Sequence, residues 1–154
     1  MNALATDQSK RIAELIHNSP ELRGNVTAGM YVGGLERTPS RTMSEHGIIT
    51  DHETLLNSPP DILLTNYKML DYLLVRPKDA LLWKQNNPET LKYIAVDELH
   101  TFDGAQGTDL ACLLRRLKRR LGIYDGYLCC IGTSATMGSK ENNGAILNLS
   151  LIHI

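Results

Sequence analysis

Three cysteines in 154 residues, two of them adjacent (Cys129 and Cys130), are too few and too poorly spaced for a disulfide framework. They have no spaced Cys/His partners, which excludes a structural zinc site. Packed thiols in a reducing compartment are expected instead. No apolar run approaches the ~18 residues of a membrane span. The first residues turn polar almost at once, unlike a secretory signal, so the expected location is cytoplasmic. Charge of one sign is lacking too: 16 Lys and Arg against 17 Asp and Glu leave a net charge of −1. Any nucleic-acid contact must then come from local patches rather than a whole-protein field. What remains is ordinary for a water-soluble domain with a real core, at 42% hydrophobic and 21% charged residues.

Along the chain, apolar periods of helix and strand alternate. Residues 1–18 place Leu4, Gln8, Ile12, Leu15 and Ile16 on one helical face, with Lys10, Arg11 and Glu14 elsewhere, and Ser19-Pro20 ends the helix. Its first-turn N–H groups could meet a phosphate. A strand is expected over 25–32, broken by Gly33-Gly34. A weakly structured loop should span 35–50, where Arg37 and Arg41 flank Thr38-Pro39-Ser40. Residues 61–65 form a short buried strand, after which Asn66 can cap a helix over 67–75 carrying Met69, Leu70, Leu73 and Leu74. Residues 79–85 make a short helix, with Trp83 read as core rather than as a base-stacking platform. A helix over 108–121 buries Leu110, Leu113, Leu114, Leu117 and Leu121, and Gly122 stops it. Arg115, Arg116, Lys118, Arg119 and Arg120 crowd its end as a solvated basic face. A last strand covers 127–131. The alternation predicts an α/β fold, with a mainly parallel sheet sandwiched by helices.

The chemistry concentrates where Leu91-Lys92-Tyr93-Ile94-Ala95-Val96, read as a strand buried on both faces, gives way to Asp97-Glu98-Leu99-His100. Ligands of open α/β sheets sit beyond the carboxyl ends of the strands, and carboxylates there can hold a metal and steer a water. Roughly 35 residues on, about one crossover unit, Gly132-Thr133-Ser134-Ala135-Thr136-Met137-Gly138 leaves a second apolar strand.

Asp97-Glu98-Leu99-His100 resembles motif II, the Walker B or DEAH-type box, of superfamily 2 nucleic-acid helicases, and Ser134-Ala135-Thr136 resembles their motif III. Met1-Asn2-Ala3-Leu4-Ala5-Thr6-Asp7-Gln8 is similar to motif Ia, and Pro60-Asp61-Ile62-Leu63-Leu64-Thr65-Asn66-Tyr67 to the region around motif Ib. The order matches the DEAD/DEAH-box family from residue 1 to about 140. The resemblance implies a partial RecA-like (P-loop NTPase) helicase domain over 1–138, with ATP and Mg²⁺ as cofactors. It gives Asp97 the metal, Glu98 the attacking water, and His100 a link to motif III, whose Ser134 and Thr136 offer hydroxyls at the nucleotide. Asn2, Ala3, Gln8, Thr65 and Asn66 would contact a nucleic-acid backbone, DNA in preference to RNA.

Two parts of such a motor are missing. No G-x-x-x-x-G-K-[ST] phosphate-binding run occurs, and no second RecA-like domain follows. The chain alone is therefore expected neither to hydrolyse ATP at a useful rate nor to unwind a duplex. Leu149-Ser150-Leu151-Ile152-His153-Ile154 is what a transposase adaptor encodes when read in frame. Residues 139–154 are accordingly expected to be a disordered, non-native tail, and Met1 an internal methionine. Two alternatives compete: a non-catalytic nucleic-acid-binding module using the basic helix, and a metal-dependent nuclease using Asp97, Glu98, His100 and Asp103.

Overall fold

Strand and helix alternate along the described residues, where four strands pair in parallel as two two-stranded sheets. The structure is a computed structural model that describes residues 2–34 and 38–134, so Arg37, Thr136 and the expected 139–154 tail lie outside the described residues. The chain divides into two units, Met1–Lys84 and Gln85–Ile154.

In the first unit, β1 (Ala28–Tyr31) pairs with β2 (Ile62–Thr65), Ala28 opposite Ile62 and Tyr31 opposite Thr65. Its other flank is also bonded. The Met30 amide donates to the Ile49 carbonyl (2.8 Å), and the Ile49 amide to that of Ala28 (3.0 Å). Bonded on both sides, β1 is buried at all four residues, as a central strand of a parallel sheet should be. The expected loop over 35–50 thus carries core at its end, with Ile48 and Ile49 buried. Space around β1 is tight: a Cβ on Gly29 would strike Leu55 Cδ2 and sit 3.1 Å from Pro60 Cγ.

The helix α1 (Asn2–Asn18) packs on this sheet through part of the expected stripe, Ile12 and Ile16, and through small residues beside it. Ala13 and Ile16 are buried against Ala28, Met30, Val32 and Ile48, with Ala5 and Ile12 alongside. Leu4 and Leu15 face outward at 47% and 64% exposure. Small residues at 5, 9 and 13 let the helix approach closely, and close approach outweighs the bulk of two leucines. Ser9 tolerates burial because its hydroxyl donates to the Thr6 carbonyl (2.8 Å).

A short helix, α2 (His52–Asn57), follows and had no counterpart in the sequence reading. Asp51 caps it, accepting from the Thr54 hydroxyl (2.6 Å) and amide (2.9 Å). Those bonds, the hydroxyl's first, hold the Asp51 carboxyl below the usual range. The capped helix α3 (Tyr67–Val75) is as expected: Asn66 Oδ1 accepts from the Met69 amide (2.8 Å), and Leu73 and Leu74 are buried. The expected helix over 79–85 is instead a 3₁₀ turn (Pro77–Asp79) followed by α4 (Leu81–Lys84). Trp83 is core, its Nε1 donating to the Leu73 carbonyl (2.7 Å). The 3₁₀ turn exists to bury Asp79 completely. The Tyr31 hydroxyl donates to Asp79 Oδ1 (3.0 Å), and Arg76 Nε lies 2.6 Å from Oδ2 without aiming its N–H along that contact. The Arg76 contact is therefore an ion pair rather than a directed hydrogen bond. Burial, then the neighbouring Asp79 carboxylate, raises the Tyr31 hydroxyl above its ordinary pKa.

In the second unit β3 (Tyr93–Val96) pairs with β4 (Cys129–Gly132), Tyr93 opposite Cys129 and Val96 opposite Gly132. The expectation of a strand buried on both faces fails here. Tyr93 and Ala95 are exposed, Ile94 and Val96 half-buried, and all of β4 is exposed. The cysteines are not packed thiols either, since Cys112, Cys129 and Cys130 are all exposed. The long helix α5 (Gly104–Leu121) begins four residues before its expected start at 108, absorbing Gly104 and Gly107 into its first turn. Gly107 has to be glycine, because a Cβ there would lie 2.9 Å from the Phe102 carbonyl oxygen. The leucine stripe is buried as expected, and Gly122 ends the helix at φ 67°. Lys118 leaves the expected solvated face: it is buried, its Nζ donating to Asp125 Oδ1 (3.1 Å).

Candidate active site at the ends of β3 and β4

Because β3 and β4 run parallel with Val96 opposite Gly132, whatever follows each strand leaves the sheet at the same rim. The next residues stay joined. The Thr133 amide donates to the Val96 carbonyl (3.0 Å), and the Leu99 amide to the Thr133 carbonyl (2.8 Å). Leu99 folds over Gly132 so closely that a Cβ there would meet Leu99 Cδ2.

The acidic loop bends sharply at Glu98, the sole non-glycine residue with positive φ among the described residues (φ 53°, ψ 42°). A left-handed non-glycine residue costs of order 1 kcal/mol and persists only where its surroundings impose it. Here they do: the Glu98 carbonyl accepts from the Thr101 amide (2.9 Å) and hydroxyl (2.9 Å), closing a 3₁₀ turn over Leu99–Thr101. The bend separates the two carboxylates. Asp97 Oδ1 accepts from the Glu98 amide (3.0 Å) and the Thr133 hydroxyl (2.5 Å). Glu98 turns to His100, with Oε2 3.2 Å from Nδ1. The Ser134 hydroxyl lies 3.0 Å from the same Nδ1. A protonated Nδ1 can donate to Glu98 or to the Ser134 oxygen, whereas a bare Nδ1 accepts from the Ser134 hydroxyl.

Asp97, Glu98, His100 and Ser134 thus come together as the sequence led us to expect. Asn2 and Ala3 lie in the first turn of α1, with the half-buried Gln8 one turn on. Thr65 and Asn66 sit at the carboxyl end of β2, where both polar groups are engaged. The Thr65 hydroxyl donates to the Tyr31 carbonyl (2.8 Å), and Asn66 caps α3. Arg41 pairs with Asp51 (3.6 Å) and Glu53 (4.0 Å) instead of standing free for a phosphate. Asp103 precedes α5 without making a side-chain cap. Sequence reasoning missed Thr133 and Thr101, which tie the loop together. The signal for Thr133 was its place as the first hydroxyl residue of the run ending in Thr136.

A metal held by protein groups alone is not what these residues form. Among the described residues no three His, Cys, Asp or Glu side chains converge as a cage. A single exposed carboxylate, bonded by the Thr133 hydroxyl and the Glu98 amide, suits Mg²⁺, which keeps several waters and takes one or two carboxylates beside phosphate oxygens. No helix among the described residues is long and apolar enough to cross a membrane.

The family model of the DEAD/DEAH box helicases matches residues 1–143. The chain is 40% identical over 102 residues to the Druantia protein DruE of Escherichia coli (strain UMEA 4076-1), which covers 62% of this chain and 5% of that protein. It is 34% identical over 142 residues to the ATP-dependent helicase Lhr-Core of Methanothermobacter thermautotrophicus, covering 92% of this chain and 15% of that one. A crystal structure of the helicase MrfA bound to DNA superposes with a TM-score of 0.59 at 27% identity, covering 99% of this chain and 18% of that one. The chain therefore spans a small fraction of the length of each relative.

Proposed function

Since the chain belongs to the DEAD/DEAH box helicase family, we propose that residues 97–100 and 133–136 form the nucleotide-facing rim of an ATP-driven nucleic-acid motor. In this reading residues 1–138 are part of its first RecA-like domain. The phosphate-binding loop and the second RecA-like domain belong to the longer reading frame, and the protein acts in the cytoplasm. One observation carries the proposal: the acidic loop and the hydroxyl loop leave neighbouring parallel strands and meet at His100 Nδ1, 3.0 Å from the Ser134 hydroxyl.

The roles are those the family resemblance implies, and the described geometry supports some of them. Asp97 has Oδ1 occupied by two donors, and no described residue hydrogen-bonds Oδ2, which is left to hold Mg²⁺. Bound there with ATP, Mg²⁺ would neutralise charge developing on the phosphates. The turn at Glu98 aims its carboxylate away from Asp97, where it orients and deprotonates the attacking water. His100 Nδ1 lies within reach of both Glu98 and Ser134, and so would link the water-handling group to the hydroxyl loop. Thr136 completes the hydroxyl side. Asn2, Ala3, Gln8, Thr65 and Asn66 line the backbone of the nucleic acid, with DNA preferred over RNA. A nuclease built on Asp97, Glu98, His100 and Asp103 gains no support, given that no three such groups converge among the described residues.

The test is a nucleic-acid-stimulated ATPase assay on the parent reading frame, with filter binding to DNA and RNA across a salt series. Glu98→Gln should lower turnover by about 10²-fold or more, the scale of a lost general base, while phosphate contacts still give a negative log–log salt slope. Full ATPase activity in that variant would sink the motor chemistry. Binding without any ATPase in the unaltered protein would leave a non-catalytic module.

A further inference from the structure

Thr133 lies beside Ser134-Ala135-Thr136, and in the reading above its hydroxyl counts only as one of the two donors to Asp97 Oδ1. The two hydroxyl residues in series nevertheless grip different parts of the acidic loop. Ser134 reaches His100, and Thr133 reaches Asp97. A carboxylate oxygen has two in-plane lone pairs. On Asp97 Oδ1 both are taken, one by the Glu98 amide and one by the Thr133 hydroxyl. The two oxygens are equivalent, so what has to be held is the tilt of the carboxylate plane, which the amide alone cannot hold. Thr133 can, because its main chain is bonded to Val96 on one side and Leu99 on the other, and its β-branched side chain is stiff about χ1.

We propose that Thr133 is a positioning residue for Asp97: its hydroxyl, bonded to Oδ1, fixes the plane of the carboxylate so that the outer oxygen turns its lone pairs to the cation. The proposal rests on the reading of Asp97 as the Mg²⁺ ligand. Both Thr133 and Asp97 are exposed, so this hydrogen bond adds little to folding stability. Its consequence lies in orientation, and a change here can be read without unfolding the site.

The experiment measures equilibrium binding of a fluorescent ATP analogue to the parent protein during a Mg²⁺ titration and again in EDTA, comparing Thr133→Val, Thr133→Ser and Asp97→Asn. Thr133→Val, nearly isosteric, should raise the Mg²⁺ concentration needed by about 10-fold, the scale for a lost partner of a metal ligand, and Thr133→Ser by no more than about twofold. Affinity in EDTA should be the same in the two Thr133 variants as in the unaltered protein. If Asp97→Asn abolishes the Mg²⁺ dependence but Thr133→Val titrates like the unaltered protein, the role of Thr133 is overturned and the motor reading stands. If Asp97→Asn leaves the dependence intact, the motor reading fails and Thr133 with it. Thr133→Ser behaving like Thr133→Val, or Thr133→Val weakening binding equally in EDTA, would also overturn the proposal.

Discussion

The two parallel strand pairs are built from similar short apolar runs and end up in opposite states. β1 is bonded on both flanks and wholly buried, while β3 and β4 leave Tyr93 and Ile131 at 67% and 47% exposure. Around β1 the side chains of two core clusters interlock. Around β3 and β4 much of the described order comes from main-chain bonds of the loops at the strand ends. Burial makes the first pair a scaffold with little tolerance for change. The second pair is held by hydrogen bonds that a ligand or a neighbouring hydroxyl can redistribute.

The contrast is most sharply broken at Asp79. Asp79→Ala leaves Arg76 and the Tyr31 hydroxyl without their buried partner, and losing one member of such a pair costs about 3–5 kcal/mol. Trp83 is the chain's single tryptophan and belongs to the first unit, so its emission during urea unfolding reads that loss directly. A smaller effect compares like with like. Gly29→Ala drives a methyl into the fully buried Leu55, and overpacking of this kind costs about 1–3 kcal/mol. Gly132→Ala meets the half-buried Leu99, which can swing aside, so stability should fall less while hydrogen exchange of the Leu99 amide quickens. Equal losses from both glycines would erase the distinction between the units.

The smallest effect is on pH. Asp61 accepts from the amide and hydroxyl of Thr27 (2.8 Å each), and those bonds, the amide's first, hold its carboxyl below the usual range. A lowered folded pKa means the stabilisation is fully present above the unfolded value of about 3.9 and is lost as pH falls through the lower folded value. Unfolding followed at Trp83 should show this loss below about pH 4, and Asp61→Asn should flatten it.

How far the sequence revealed the fold follows the same physical divide. Signals within one segment were legible: the Asn66 cap, the Gly122 stop, the leucine stripe of α5, and the acidic and hydroxyl runs after two strands. What escaped notice depended on partners distant in sequence. Ile49 becomes core only because it bonds to β1, and α1 turns Leu15 outward because Ala5, Ser9 and Ala13 fit closer to the sheet. Lys118 is buried because Asp125 waits beyond the helix end. The meeting of Asp97 with Thr133 could not be read from spacing, since it depends on the register that sets Val96 opposite Gly132.

At Glu98, folding and chemistry ask for different residues. A glycine would relax the left-handed bend by about 1 kcal/mol, yet it would remove the carboxylate that gives the bend its purpose. On the role proposed for Glu98, selection for heat resistance alone would favour glycine at this position at the expense of turnover.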